Sequence, residues 1–188
     1  PHCHAMGQWQ ISGEYEEIMV APWIFKEGQN GWGILARGNV AKPEFNTYKL
    51  LNRLGNRRLA ATGPALASQQ DGGGFAALVW NLADVQQAPG FPGASSKRVI
   101  VGSRKLLAVR LRGAQAGQQV KVSYVDQERG SPYPTWRSMG SPRYPTRAQL
   151  DTIRKAAEIA PPELRTLDAR GQLVLDLPAE GVALIESV

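Results

Sequence analysis

The chain has 188 residues, 43% of them hydrophobic, with 22 Lys and Arg against 16 Asp and Glu. That length supports one ordinary core, or one domain and a piece of another, and no apolar run approaches the ~20 residues that a helical membrane crossing needs, so no membrane partner is expected. The net charge of +6 would suit nucleic acid, but the arginines are dispersed among apolar and acidic positions without interleaved aromatics, the pattern of a solvated face, and no nucleic-acid partner is expected either.

The chain opens on Pro1-His2 without Met or a basic, apolar leader, which leaves the compartment open and fits a chain that is part of something larger. Cys3 is the single cysteine, so an internal disulfide is ruled out. His2, Cys3 and His4 are adjacent donors, but adjacent residues rarely converge on one ion and no second cluster follows. No metal and no other cofactor is expected.

In chain order, residues 8–12 alternate like a short strand, and residues 13–39 read mostly as loop, broken by the apolar stretch Gly31-Trp32-Gly33-Ile34-Leu35-Ala36. Immediately after the strand come three carboxylates, Glu14, Glu16 and Glu17, an acidic cluster in a basic chain. A helix follows: Pro43 suits the first turn, Glu44 complements the positive helix end, and Phe45, Tyr48, Leu51 and Leu54 form a helical stripe before Gly55. The period then changes to alternation, with strands expected at 75–81, 106–111, 120–125, 173–177 and 182–185. The last two, joined through Pro178-Ala179-Glu180-Gly181, read as a closing hairpin. One helix interrupts these strands: Thr146 and Gln149 fit a capping box, and Leu150, Ile153 and Ala157 supply its buried stripe before Pro161-Pro162. Trp80 and Trp136 read as core. The pattern is mainly β, a β-sandwich with an inserted helix, preceded by a lone strand and helix. Such a pair normally belongs to a larger sheet.

Several spaced motifs resemble those of glycoside hydrolase family 39, the β-xylosidase and α-L-iduronidase group. Gln8-Trp9-Gln10-Ile11-Ser12-Gly13-Glu14-Tyr15-Glu16-Glu17 resembles the end of that family's eighth barrel strand, with Gly13 replacing the usual acidic residue. Gly31-Trp32-Gly33-Ile34-Leu35 and the segment from Lys42 to Gly55 are similar to the following loop and the eighth barrel helix. Asp126-Gln127-Glu128-Arg129-Gly130-Ser131-Pro132-Tyr133, Trp136, and Met139-Gly140-Ser141-Pro142-Arg143-Tyr144-Pro145-Thr146 resemble its accessory β-sandwich.

The resemblance implies that residues 1–55 are the last strand, loop and helix of a (β/α)8 barrel, and residues 56–188 an accessory β-sandwich. It further implies a retaining glycosidase, most simply a β-xylosidase, whose acid/base and nucleophile glutamates precede Pro1, so that this segment contains no catalytic residue of its own. On a barrel the groups at the C-terminal ends of strands face the substrate. The family pattern assigns Trp9 and Glu17, and with less emphasis Glu16, to sugar binding, an aromatic ring against the pyranose C–H face and carboxylates accepting from its hydroxyls. The partners implied are a xyloside or related carbohydrate and the missing N-terminal barrel portion. Standing alone, the segment before Pro43 is expected to be mobile or held in a homo-oligomer by self-association. The rival reading is a stand-alone, non-catalytic carbohydrate-binding or structural β-sandwich module.

Overall fold

The computed structural model describes residues 34–36, 38–86 and 99–188. The strand expected at 8–12, the donors His2, Cys3 and His4, the candidate site residues Trp9, Glu16 and Glu17, and Glu14 of the acidic cluster lie outside these residues.

The described chain is mainly β. Its elements are β1 (Leu35–Ala36), β2 (Val40–Ala41), α1 (Pro43–Leu51), β3 (Arg57–Leu59), β4 (Ala65–Gln69), β5 (Phe75–Asn81), β6 (Asp84–Gln86), β7 (Val99–Val101), β8 (Lys105–Arg110), β9 (Gln119–Val125), α2 (Tyr133–Ser138), α3 (Arg147–Ala156), β10 (Glu163–Thr166), β11 (Gln172–Leu177) and β12 (Gly181–Ser187). Six strands form one antiparallel sheet in the order β10-β9-β12-β5-β4-β3, while β11 pairs with β8, β6 with β7, and β1 with β2.

The first pair adds a strand at Val40–Ala41 that the sequence reading lacked, folded back on the end of the apolar stretch that closes at Ala36. Ala36 sits opposite Val40 across a three-residue connection in which Gly38 (φ 80°) and Asn39 (φ 57°) take left-handed backbone, the geometry that lets so short a link reverse the chain. A second correction concerns the chain end. Strands β11 and β12 are not a hairpin: β11 pairs with β8, whereas β12 lies between β9 and β5. Their burial patterns explain why. Leu173, Leu175 and Leu177 are buried while Val174 and Asp176 are exposed, as on a strand with one covered face, but Ala183, Leu184, Ile185 and Glu186 are buried in succession, as on a central strand covered on both. The link crosses from one layer to the other. Asn81, at the end of β5, anchors that crossing by donating from Nδ2 to the carbonyls of Ser103 (2.9 Å) and Leu177 (3.0 Å).

The two faces of the six-stranded sheet serve two cores. On one face Val120, Val122, Ala183 and Ile185 pack with Leu173, Leu175 and Leu177 of the β8–β11 ribbon. On the other, Leu78, Val125 and Leu184 pack with Leu50 of α1. A third cluster joins Ala36 and Val40 to Trp136, Ile153 and Ala157, so the β1–β2 hairpin rests on α2 and α3. The Thr146 capping box is present, with Thr146 N donating to Gln149 Oε1 (2.8 Å) and Gln149 N to Thr146 Oγ1 (3.3 Å). Two helices, not one, interrupt the strands. The extra one, α2, opens with Pro134 inside its first turn, where a missing N–H costs no helical bond, so the Pro-rich stretch starts a helix instead of preventing one.

Candidate functional site

Trp9, Glu16 and Glu17 lie outside the described residues. The structure does describe the unit that follows them, β1, β2 and α1, and how the sheet holds it.

Helix α1 does not bury the stripe that its apolar residues suggest. Its buried positions are Asn46, Thr47 and Leu50, with Leu51 and Leu54 only partly covered and Phe45 and Tyr48 half-buried. Asn46 is fully buried and joins three segments: its Nδ2 donates to the carbonyls of Gly130 (2.8 Å) and Ala157 (2.6 Å), at the turn after β9 and the C-terminal end of α3. Gly130 turns with φ 61°, and a Cβ there would stand 3.4 Å from Asn46 Nδ2 and from Val125 Cγ2. The helical spacing of Asn46 and Leu50 is visible in the sequence. Its polarity is what hides it.

Beyond α1, Arg53 forms a two-pronged ion pair with Glu186 of β12, donates from Nη1 to Ser123 Oγ (3.2 Å), and receives a bond on its carbonyl from Gln70 (3.1 Å). Glu186 is 7% exposed while the Arg53 side chain is 38% exposed, so the pair is buried on its carboxylate side only. Gly55 follows, and the reason for glycine there is close approach rather than a left-handed turn: a Cβ would run into the Gln69 carbonyl while Gly55 N donates to Ser68 Oγ (2.8 Å). At the other end of α1 the buried Lys42 precedes the first turn, and burial holds its ammonium below the usual 10.5, against the opposing pull of Glu44.

Two carboxylates of this platform, Glu186 and Asp126, are committed to arginines. Besides Glu186 with Arg53, Asp126 accepts from Arg129 at 2.6 Å and from the Glu128 and Arg129 amides at 2.8 Å, and the Arg129 guanidinium lies 3.9 Å from the centre of the Tyr124 ring. Sequence reading gave Asp126 and Arg129 only as part of a motif; their job is to fix the turn that presents Gly130 to Asn46. Trp136 is core, 6% exposed, with Nε1 donating to the Pro142 carbonyl at 3.1 Å. Trp80, the penultimate residue of β5, is only half-buried, so the expectation that it is core holds in part. Among the described residues no three His, Cys, Asp or Glu side chains gather to hold a metal.

The β1–β2 hairpin and α1 are thus seated by apolar packing together with the Asn46 and Arg53 bonds. Comparison with known proteins gives this arrangement a context. The family model for glycosyl hydrolases family 39 matches residues 2–174. A Beta-xylosidase of Geobacillus stearothermophilus is 26% identical over 179 residues, covering 95% of this chain and 32% of that protein. An Alpha-L-iduronidase of Mus musculus is 32% identical over 83 residues, 42% of this chain and 13% of its own. The crystal structure of a monomeric beta-xylosidase from Caulobacter crescentus CB15 superposes with a TM-score of 0.64 at 25% identity, covering 83% of this chain and 32% of that one. The chain thus spans about a third of the length of the relatives it matches nearly end to end.

Proposed function

Because the chain belongs to glycosyl hydrolases family 39, we propose that it is the C-terminal part of a retaining glycoside hydrolase, a β-xylosidase that removes terminal β-xylosyl residues. In this reading residues 1–55 close a (β/α)8 barrel and residues 56–188 form the accessory β-sandwich. One observation carries it: the match to the Geobacillus Beta-xylosidase covers 95% of this chain but 32% of that protein, and it runs through both units. The docking of α1 on the six-stranded sheet, against Leu78, Val125 and Leu184, supports an accessory domain that braces the barrel's last helix.

Retention requires two carboxyl groups only ~5 Å apart, one protonating the leaving oxygen and one forming the glycosyl-enzyme bond. In the proposed enzyme both precede Pro1. The contribution of this chain is positioning: Trp9 offers its ring to the pyranose, and Glu17, with Glu16 beside it, accepts from sugar hydroxyls in a site that excludes water. The substrate is a xyloside or related carbohydrate, and the obligatory partner is the N-terminal portion of the barrel.

Two measurements test this. The purified 188-residue chain should not turn over an aryl β-xyloside; turnover above buffer would end the proposal. In the complete enzyme, Glu17→Ala should lower kcat/KM by about 30- to 1,000-fold, the equivalent of roughly 2 to 4 kcal/mol, while Glu14→Ala stays near wild type. Small and equal effects would put the acidic cluster in solvent.

A further inference from the structure

The β8–β11 ribbon, strands β9 and β10 and the turn after β9 line an open cleft of about 460 Å³, within the range of small-ligand sites. Its polar groups come as fixed pairs. Arg104 Nη1 meets Asp176 Oδ2 at 3.0 Å, and Arg129 is held by Asp126. Arg165 links three partners: it lies 3.7 Å from Glu163, donates to the Tyr124 hydroxyl at 3.3 Å, and donates to the Val174 carbonyl at 3.1 Å. Between these pairs stand two aliphatic side chains that the core does not take, Leu106 at 72% exposed and Val174 at 51%.

This composition selects among ligand chemistries. The lining carries four carboxylates, Glu128 among them, against three guanidiniums, so a phosphate or sulfate meets more repulsion than attraction. A divalent cation needs converging free oxygens, and Asp126, Glu163 and Asp176 are instead engaged by arginines. What matches alternating, pre-oriented donors and acceptors interrupted by aliphatic surface is a neutral polyhydroxylated chain, whose hydroxyls both donate and accept and whose C–H faces are apolar. We propose that the cleft between the β8–β11 ribbon and strands β9 and β10 binds a neutral oligosaccharide. Arg104, Asp176 and Glu163 provide the exposed hydrogen-bonding groups, and Leu106 and Val174 the platform.

The choice of a xylose oligomer as probe rests on the function proposed above; the cleft itself does not. Xylohexaose titrated into the ¹⁵N-labelled 188-residue chain should shift the backbone amides of Leu106, Glu163 and Val174 saturably, with dissociation constants of about 1 mM, the weak range expected of an open surface site. The double variant R104A/E163A removes side chains that are about half exposed. It should keep the remaining spectrum and weaken binding by about tenfold or more. Absence of saturable shifts up to about 10 mM overturns the inference. So does binding undiminished in R104A/E163A, or stronger competition by inorganic sulfate or CaCl2 than by cellohexaose. Binding lost in Glu17→Ala but kept in R104A/E163A would assign the sugar to the barrel-derived segment, overturning this site while leaving the proposed function intact.

Discussion

Replacing Asn46 by Ala is the sharpest probe of how the strand–helix unit is seated. The side chain is fully buried and gives two hydrogen bonds, at 2.8 and 2.6 Å, to carbonyls from segments 84 and 111 residues away. Each such bond contributes about 1 kcal/mol net, and a buried carbonyl left without a donor costs about 1 kcal/mol more, which gives a loss of roughly 4 kcal/mol. One term runs the other way: Asn46 Oδ1 is itself buried without a partner, and deleting it returns about 1 kcal/mol. The expected loss is therefore about 3 kcal/mol. With a urea dependence of about 2 kcal/mol per molar, the unfolding midpoint should fall by about 1.5 M at unchanged slope. Asn46→Leu separates bonding from packing, since it fills the space but still strands the Gly130 and Ala157 carbonyls. A midpoint drop below about 0.3 M for Ala, or full recovery by Leu, would mean that shape alone seats the helix.

Gly55→Ala forces a methyl into the Gln69 carbonyl, a backbone group that cannot swing away, and should cost about 2 to 3 kcal/mol in the same urea assay; a neutral result would show that β4 shifts freely against the end of α1. Arg53→Ala leaves Glu186 charged at a 7% exposed position, and because the Arg53 side chain is itself 38% exposed the expected loss is about 1 to 2 kcal/mol. Arg53→Lys, with one point charge in place of a fork, should recover only part of it, and complete recovery would mean that charge without bidentate geometry suffices. Tyr124 is held above its ordinary 10.0, first by burial and then by the charge of Glu163, outweighing Arg165 and Arg129. A raised phenol keeps its proton longer in the folded state, so its contribution is full below pH 10 and is lost as pH climbs through the folded value. Tyr124→Phe should therefore show a flatter fall in stability above pH 10 than wild type, and parallel curves would refute the assignment.

Where the sequence is periodic, the fold follows from it. Strand β11 spans Gln172–Leu177 with Leu173, Leu175 and Leu177 buried on one face, as their alternation requires, and α3 begins at the Thr146 capping box. Two of the missed strands, β3 and β10, lack the signal. Arg57–Leu59 is exposed at every position and Glu163–Thr166 is an edge strand of alternating charge, so neither shows an apolar face to read. The error over α1 has a different origin: Phe45 and Tyr48 are the conspicuous residues, but hydrophobicity does not say which partner a face meets, and it is Leu50 that packs on the sheet and Asn46 that bonds the turn after β9 and the end of α3. A buried polar residue is legible only once its partners are placed, and those of Asn46 stand far along the chain. The pairing of β11 with β8 was hidden for a similar reason, since a four-residue link with a Gly fits a hairpin and a change of layer equally well.

The order of the sheet has a consequence for how that seat is assembled. Strands β5 and β9 have no pairing with each other; β12 lies between them and pairs with both, six residue pairs on each side. Without residues 181–187 the sheet is two pieces, β3-β4-β5 and β9-β10, each with an open hydrogen-bonding edge. The same strand supplies Ala183 and Ile185 to the ribbon-side core, Leu184 to the α1-side core, and Glu186 to Arg53. Both cores and the clamp on α1 therefore close on one late strand, whose contacts span about a hundred residues of chain, the kind of non-local pairing that makes folding slow. Helix α1, which also bonds through Asn46 to Gly130 and Ala157, gains its Leu184 contact and its Arg53–Glu186 clamp only when β12 is in place.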